Sequence, residues 1–360
     1  MNFGLSEDQL LFQRTLRAFL ADRCPPARVR AVMDGDRGHD AELWAEMAAL
    51  GIAGLALPVE LGGSGLGVLD LGLAAEELGY AATPGPFLGA AMAVVALREA
   101  PSAAAEWLPR VAAGDAILTV ACGEEGGVWD PGELVTRSAG NRLRGRKSFV
   151  PYAAEADAVL VAAQDETGPG LWLVARGAPG VVITPYRGVD PTRRLHAIDL
   201  DDTPATLAVS GAGAIRRSID AGLALLAADA YGGARRCLDL TLQHVQARQQ
   251  FDRPLAAFQA VRHQLANLAC ELEPCQSLWW YAAHALDRIP DRGERLAALA
   301  KAHLTDVFDR IVRDATELHG GLGFTWDYDL QIFFRRAIFD RSFLGDAAYH
   351  RDRAAALAGW

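Results

Sequence analysis

Apolar positions recur at helical spacing from the start of the chain. Leu10, Phe12, Leu16, Phe19 and Leu20 share a stripe behind Ser6, whose hydroxyl suits an N-cap, with Asp8 in the first turn. A second helix is expected over 41–50. After Pro58 and the glycines Gly62, Gly63, Gly65 and Gly67, another is expected over 69–78. The twenty residues 78–97 carry no charge, enough to cross a bilayer, but Thr83 and Pro84-Gly85-Pro86 interrupt them. The pattern predicts a loop leading into a buried helix and no membrane span.

From Ile117 the texture changes to short alternating or β-branched runs, at 117–121, 149–150, 158–163, 171–175, 181–185 and 195–200. Turn formers such as Gly132, Asn141 and Pro179-Gly180 separate them, which predicts a small β-barrel or sandwich ending near Ser210. Beyond Gly213 come three long helical stripes. The first carries Ile219, Leu223, Leu226, Cys237, Leu240 and Val245. The second carries Phe258, Val261, Leu265, Leu268 and Leu272, with a start expected at Pro254 and a kink at Pro274. The third runs from Leu296 through Leu304 and Ile311 to Leu318, closed by Gly320-Gly321. Long amphipathic helices joined by short links bury their stripes in a bundle. The expected organisation is an α-helical domain over 1–115, a middle β-barrel over 116–210 and a C-terminal helical bundle over 211–360.

Charge narrows the partners. Thirty-five basic against 45 acidic residues give a net charge of −10, which opposes attraction to nucleic acid or anionic lipid. The five cysteines (Cys24, Cys122, Cys237, Cys270, Cys275) form no CxxC pair, so neither a disulfide framework nor a metal cage is indicated. Glu7 and Asp8 stand where an export signal carries basic residues, and a reducing cytoplasm is the expected compartment. Familiar signatures fail: Gly62 to Gly67 reads GGSGLG, which has neither GxGxxG nor GxSxG spacing.

Four motifs survive in order: LPVELGGSGLG from Leu57, RKSFVP from Arg146, RQQFDRPL from Arg248 and HGGLGFTWDYD from His319. With the helix–β–helix order and the length, the chain resembles the acyl-CoA dehydrogenase family over essentially its whole extent. The resemblance implies FAD and an acyl-CoA substrate. In that family a carboxylate removes the α proton of the thioester while the β hydrogen leaves as hydride to the flavin, giving a 2,3-enoyl-CoA. Such a base needs a dry apolar pocket that raises its pKa.

The family's base lies in a Tyr-Glu-Gly element beyond the HGG motif. Ungapped counting from His319 places it on Phe343-Leu344-Gly345, so Leu344 stands where the glutamate belongs. Relatives that carry the glutamate on the first bundle helix place it near Gly222, where Asp220 is the nearest candidate. An acidic residue in a helix's first turns is more often solvated or dipole-stabilising. For the cofactor, the resemblance assigns Arg248 and Phe251 to a neighbour's FAD diphosphate and adenine, with Gln259, Gly320 and Gly321 completing that half-site. A guanidinium suits paired phosphate oxygens, and small residues let the backbone approach. A purely structural role would make Phe251 core and the two glycines a helix cap.

Departures from the family cluster at the flavin. Asp252 replaces a usual glycine, and Glu317 a usual glutamine facing pyrophosphate. The hydroxyl-bearing flavin segment becomes Ala121-Cys122-Gly123-Glu124-Glu125. Phe149 and Pro151 occupy the stretch that packs on the isoalloxazine ring. These departures resemble the base-lacking subunit of heterotetrameric, steroid-type acyl-CoA dehydrogenases, whose homologous partner supplies the glutamate. Other readings are a homomeric dehydrogenase using Asp220, an oxygen-activating flavoprotein of the same fold, and a non-catalytic assembly partner.

Overall fold

The computed structural model describes residues 4–35, 38–98, 100 and 104–360. The chain opens with six helices: α1 (Glu7–Arg23), α2 (Pro26–Asp34), α3 (Ala41–Ala49), α4 (Val68–Tyr80), α5 (Phe87–Leu97) and α6 (Leu108–Ala113). At the start of α1, Ser6 Oγ accepts from the Gln9 N–H while Gln9 Oε1 accepts from the Ser6 N–H, a reciprocal cap. Helix α5 is buried along its whole length, as the uncharged run after Pro86 predicts. Among the described residues no helix is long and apolar enough to cross a membrane.

Eight strands follow: β1 (Leu118–Ala121), β2 (Arg137–Ala139), β3 (Arg142–Pro151), β4 (Ala158–Asp165), β5 (Gly168–Ala175), β6 (Val181–Pro185), β7 (Leu195–Pro204) and β8 (Thr206–Ser210). They form one sheet in the order β6-β7-β3-β2-β4-β5-β8, with β1 parallel to β4. A buried ion pair, Lys147 Nζ to Glu124 Oε1 at 3.0 Å, joins β3 to the loop after β1. The same carboxylate accepts from the backbone N–H groups of Val135 and Thr136.

The C-terminal block consists of α7 (Ala212–Ala247), the short hairpin β9 (Gln249–Gln250) and β10 (Arg253–Pro254), then α8 (Gln259–Arg288), α9 (Pro290–Leu318), α10 (Leu330–Ser342) and α11 (Ala347–Leu357). Helix α9 packs against α7, α8, α10 and α11. Helix α7 also lies along α4, so closely that a Cβ on Gly232 would sit 1.9 Å from the Glu76 carbonyl oxygen. One expectation is corrected here. Pro254 lies in the hairpin, and the second long helix starts at Gln259. That helix passes through Pro274 as one element to Arg288.

Arg336 ties the three blocks together. It is fully buried, donating to Asp190 (2.7 Å), to both oxygens of Asp229 (3.2 Å each), to Thr192 Oγ1 (2.6 Å) and to the Thr83 carbonyl (3.2 Å). Arg193 adds a second guanidinium on Asp229. Beside them burial, and then the neighbouring Asp229, push the Asp340 carboxyl well above its ordinary range, which favours its protonated form.

Candidate functional site

The functional residues expected from sequence gather in two places at opposite ends of α7. The first surrounds Leu344. This residue follows α10, is 1% exposed and sits at φ +62°, a left-handed conformation uncommon for leucine. Its neighbours hold that backbone. Lys301 Nζ donates to the carbonyls of Arg341 (3.1 Å) and Gly345 (2.8 Å), and His350 Nε2 lies 2.9 Å from the Leu344 oxygen. Burial lowers Lys301 to about 7 and His350 to about 3. His350 is therefore a neutral imidazole near pH 7, and with its Nε2 protonated it donates to that oxygen.

The Leu344 side chain fills the space in front of Gly222 on α7. A Cβ added there would fall 2.7 Å from Leu344 Cδ1 and 2.9 Å from Met92 Sδ. Thus the two places named for a base lie against each other, and both present hydrocarbon. Asp220 is two residues away on the same helix, a spacing that does not share a face. It is buried, not solvated at a helix start. Its Oδ1 accepts from Arg353 (2.8 Å), which also reaches Glu294 (2.6 Å). Burial raises its pKa to about 6, with Arg353 opposing.

Aromatic rings connect Leu344 to the sheet. Phe149, at φ +57°, stacks on Tyr186 with centroids 5.4 Å apart and lies 6.1 Å from Trp129. Trp129 in turn meets Phe343 edge-on at 5.6 Å. Trp129, Leu344, Ile219, His350 and Arg353 line a cavity of about 360 Å³ between the β1–β2 loop, α7 and α11.

The second place is the far end of α7. Arg248 caps that helix, is exposed, and its guanidinium makes no hydrogen bond or ion pair with any described residue. The β9–β10 hairpin projects beyond it, with Phe251 (φ +53°) and Asp252 (φ +60°) at the tip. Phe251 is 84% exposed, so it is not a core residue. Gln259, first in α8, is also exposed. Gly320 (φ +61°) and Gly321 have nothing within 4 Å of where a Cβ would stand, leaving open room for a ligand to approach the backbone.

A histidine pair joins these pieces. His319, directly before the glycines, has Nδ1 2.7 Å from the Ala315 carbonyl and Nε2 2.9 Å from the Tyr328 hydroxyl. Its ring stacks on His244 at 4.2 Å, and the His244 carbonyl accepts the Arg248 N–H at 2.8 Å. Desolvation holds His319 below its ordinary pKa, consistent with a neutral ring that accepts from Tyr328.

The two places are far apart. Gly222 and Arg248 lie along one continuous helix, and 1.5 Å per residue separates them by roughly 39 Å, more than one dinucleotide bridges. Lys301, His350, Tyr186 and Arg353 escaped the sequence reading. Of these only Lys301 left a signal, a lysine inside the apolar stripe of α9.

Helical N-terminal block, central sheet, long-helix bundle and these motif positions define an acyl-CoA dehydrogenase, and the chain belongs to that family. The family's N-terminal domain matches residues 6–115 and its C-terminal domain residues 210–358. Among relatives, acyl-CoA dehydrogenase IpdE2 of Mycobacterium tuberculosis is 30% identical over 92% of this chain and 91% of its own length. A variant of the Tcur3481–Tcur3483 steroid ACAD superposes with TM-score 0.91 at 32% identity, covering 98% of each chain. The ChsE4–ChsE5 complex from Mycobacterium tuberculosis does so with TM-score 0.90 at 27% identity, over 100% of this chain and 99% of that one.

Proposed function

We propose that this chain is the base-lacking subunit of a heteromeric, FAD-dependent acyl-CoA dehydrogenase that desaturates a bulky acyl-CoA at Cα–Cβ, of the steroid class named for its structural relative. The observation that carries this reading is the Leu344–Gly222 contact, where hydrocarbon fills both positions from which the family draws its glutamate. Asp220 is a poor substitute, because it is committed to Arg353 and lies on another face of α7.

When bound, FAD supplies a hydride acceptor for the β hydrogen. The residues of this chain fit one half of that cofactor. Arg248 offers an uncommitted fork to the diphosphate, Phe251 an exposed ring to the adenine, and Gly320 and Gly321 open backbone, with Gln259 beside them. The ring-binding half fits poorly. Glu124, where relatives offer hydroxyls, is locked to Lys147, and Phe149 is already stacked on Tyr186. The α proton therefore leaves to a carboxylate of the homologous partner, whose cofactor this chain clamps from the far end of α7.

Co-expression with a glutamate-bearing homologue from the same source tests the reading. The lone chain should retain little flavin, and the assembly should carry one FAD per pair of subunits, bleached by acyl-CoA. Stoichiometric FAD and acyl-CoA dehydrogenation by the lone chain would refute it.

A further inference from the structure

Where α4, α5, α7 and the α8–α9 turn meet, a second cavity of about 690 Å³ adjoins the one at Leu344, and Arg216 and Glu294 line both. Its volume falls within the roughly 300–1,000 Å³ typical of small-molecule sites. Val68, Val95, Ala221 and Leu286 give it apolar walls.

The charged groups around it are unequally committed. Arg98 donates to Asp287 Oδ1 at 2.7 Å, while Oδ2 of the same carboxylate accepts from the Val68 N–H at 2.6 Å. Arg353, from the adjoining cavity, donates to both Asp220 and Glu294. Every carboxylate in the wall therefore already has a guanidinium. Arg216 stands exposed at the edge shared by the two cavities and makes no hydrogen bond or ion pair with any described residue. Arg217 contributes a further cation to the wall. Three arginines, Arg98, Arg216 and Arg217, thus line the cavity with three carboxylates, Asp220, Asp287 and Glu294, and each carboxylate is already bonded to Arg98 or Arg353. An arginine outside any ion pair at the mouth of an apolar cavity favours an anion attached to hydrocarbon.

We propose that this cavity is a ligand site for an amphipathic carboxylate, its chain among Val68, Val95 and Leu286 and its carboxylate paired with Arg216. Arginine presents two parallel N–H donors to a carboxylate, which fixes the ligand head-out. Burial of Asp220, whose pKa stands at about 6, thins the opposing negative charge as pH falls toward that value. The inference stands apart from the proposed function, since it needs neither flavin nor partner base.

Calorimetric titration of the full-length chain, in the assembly it purifies as, with octanoate, octanol and octanoyl-CoA tests it. Octanoate should bind saturably, and octanol at least about tenfold more weakly, the loss expected when one charge-assisted contact is removed. Arg216→Gln should weaken octanoate by a similar factor and Arg216→Lys by less, with circular dichroism unchanged. The proposal falls if octanoate does not saturate, if only octanoyl-CoA binds, or if Arg216→Gln binds octanoate like the parent. Flavin content and thioester bleaching, read on the same samples, report separately on the dehydrogenase reading.

Discussion

Replacing Arg248 with alanine separates binding from folding more cleanly than any other change at the cofactor arm. The side chain is exposed and makes no contact that the fold needs, so its removal should leave the melting temperature of the chain where it was. All of its cost should fall on FAD. A guanidinium on a phosphate group makes charge-assisted hydrogen bonds, each net about 1.5–3 kcal/mol. At about 1.4 kcal/mol per decade, that predicts a 10- to 150-fold weaker FAD dissociation constant for the assembly. Arg248→Lys keeps the charge without the fork and should fall between, with a steeper salt dependence. The assay is quenching of flavin fluorescence on titrating apo-assembly, with subunit ratio checked by gel filtration. An unchanged dissociation constant in Arg248→Ala, with the assembly intact, would remove this residue from the cofactor site.

Four further outcomes follow from the same geometry. Asp252→Gly should stabilise the hairpin by up to about 1 kcal/mol in chemical denaturation, because glycine carries no penalty at φ +60°, and should tighten FAD most at low salt. Lys301, lowered to about 7 from 10.5, is neutral in the folded chain while the unfolded chain stays protonated; the unfolded state binds more protons across that window, and stability rises with pH there. Lys301→Met should abolish that rise, seen by comparing melts at about pH 7 and about pH 9. Arg336→Met should cost about 3–5 kcal/mol by denaturant titration, since it strands Asp190 and Asp229 in the interior. Leu344→Glu should give the lone chain no dehydrogenase activity while lowering its stability as pH rises past the ordinary glutamate range, because burial raises the new carboxyl's pKa; an active lone variant would refute this.

Much of the fold was legible because long stripes repeat a signal many times over. The patterns through Ile219 and Val245, and through Leu296 and Leu318, carry α7 and α9. Short elements carried too few repeats. Helix α2 buries only Val29 and Met33, and β2 is three residues with one buried. Pro254 misled because proline suits a helix's first turn and a hairpin strand alike. What settles it is the Arg248 carbonyl accepting from Leu255 N–H at 2.9 Å, which folds the chain back before α8 begins. At the site, contiguous motifs such as Arg248 to Leu255 and His319-Gly320-Gly321 were visible in the chain. Arg353 with Asp220, or Trp129 with Phe343, join elements far apart in sequence and leave no local pattern to read.

The division of this chain into two ends follows from the stiffness of α7. One end holds Gly222 under Leu344, and the other holds Arg248 beside the His244–His319 stack that fixes the glycine turn. A continuous 36-residue helix, packed on α4, α5, α8 and α9, does not bend to bring these ends to one ligand. Whatever Arg248 holds must therefore have its reacting ring somewhere other than at Leu344 of the same chain. Toward the near end Phe149 is stacked on Tyr186 and Glu124 is paired with Lys147, while the far end is left with an uncommitted cation, an exposed ring and open backbone. Phe251, 84% exposed at the tip of a left-handed turn, offers its ring to a second surface. The proposed homologous subunit, with its own flavin ring site and a carboxylate where this chain has Leu344, would satisfy both ends at once.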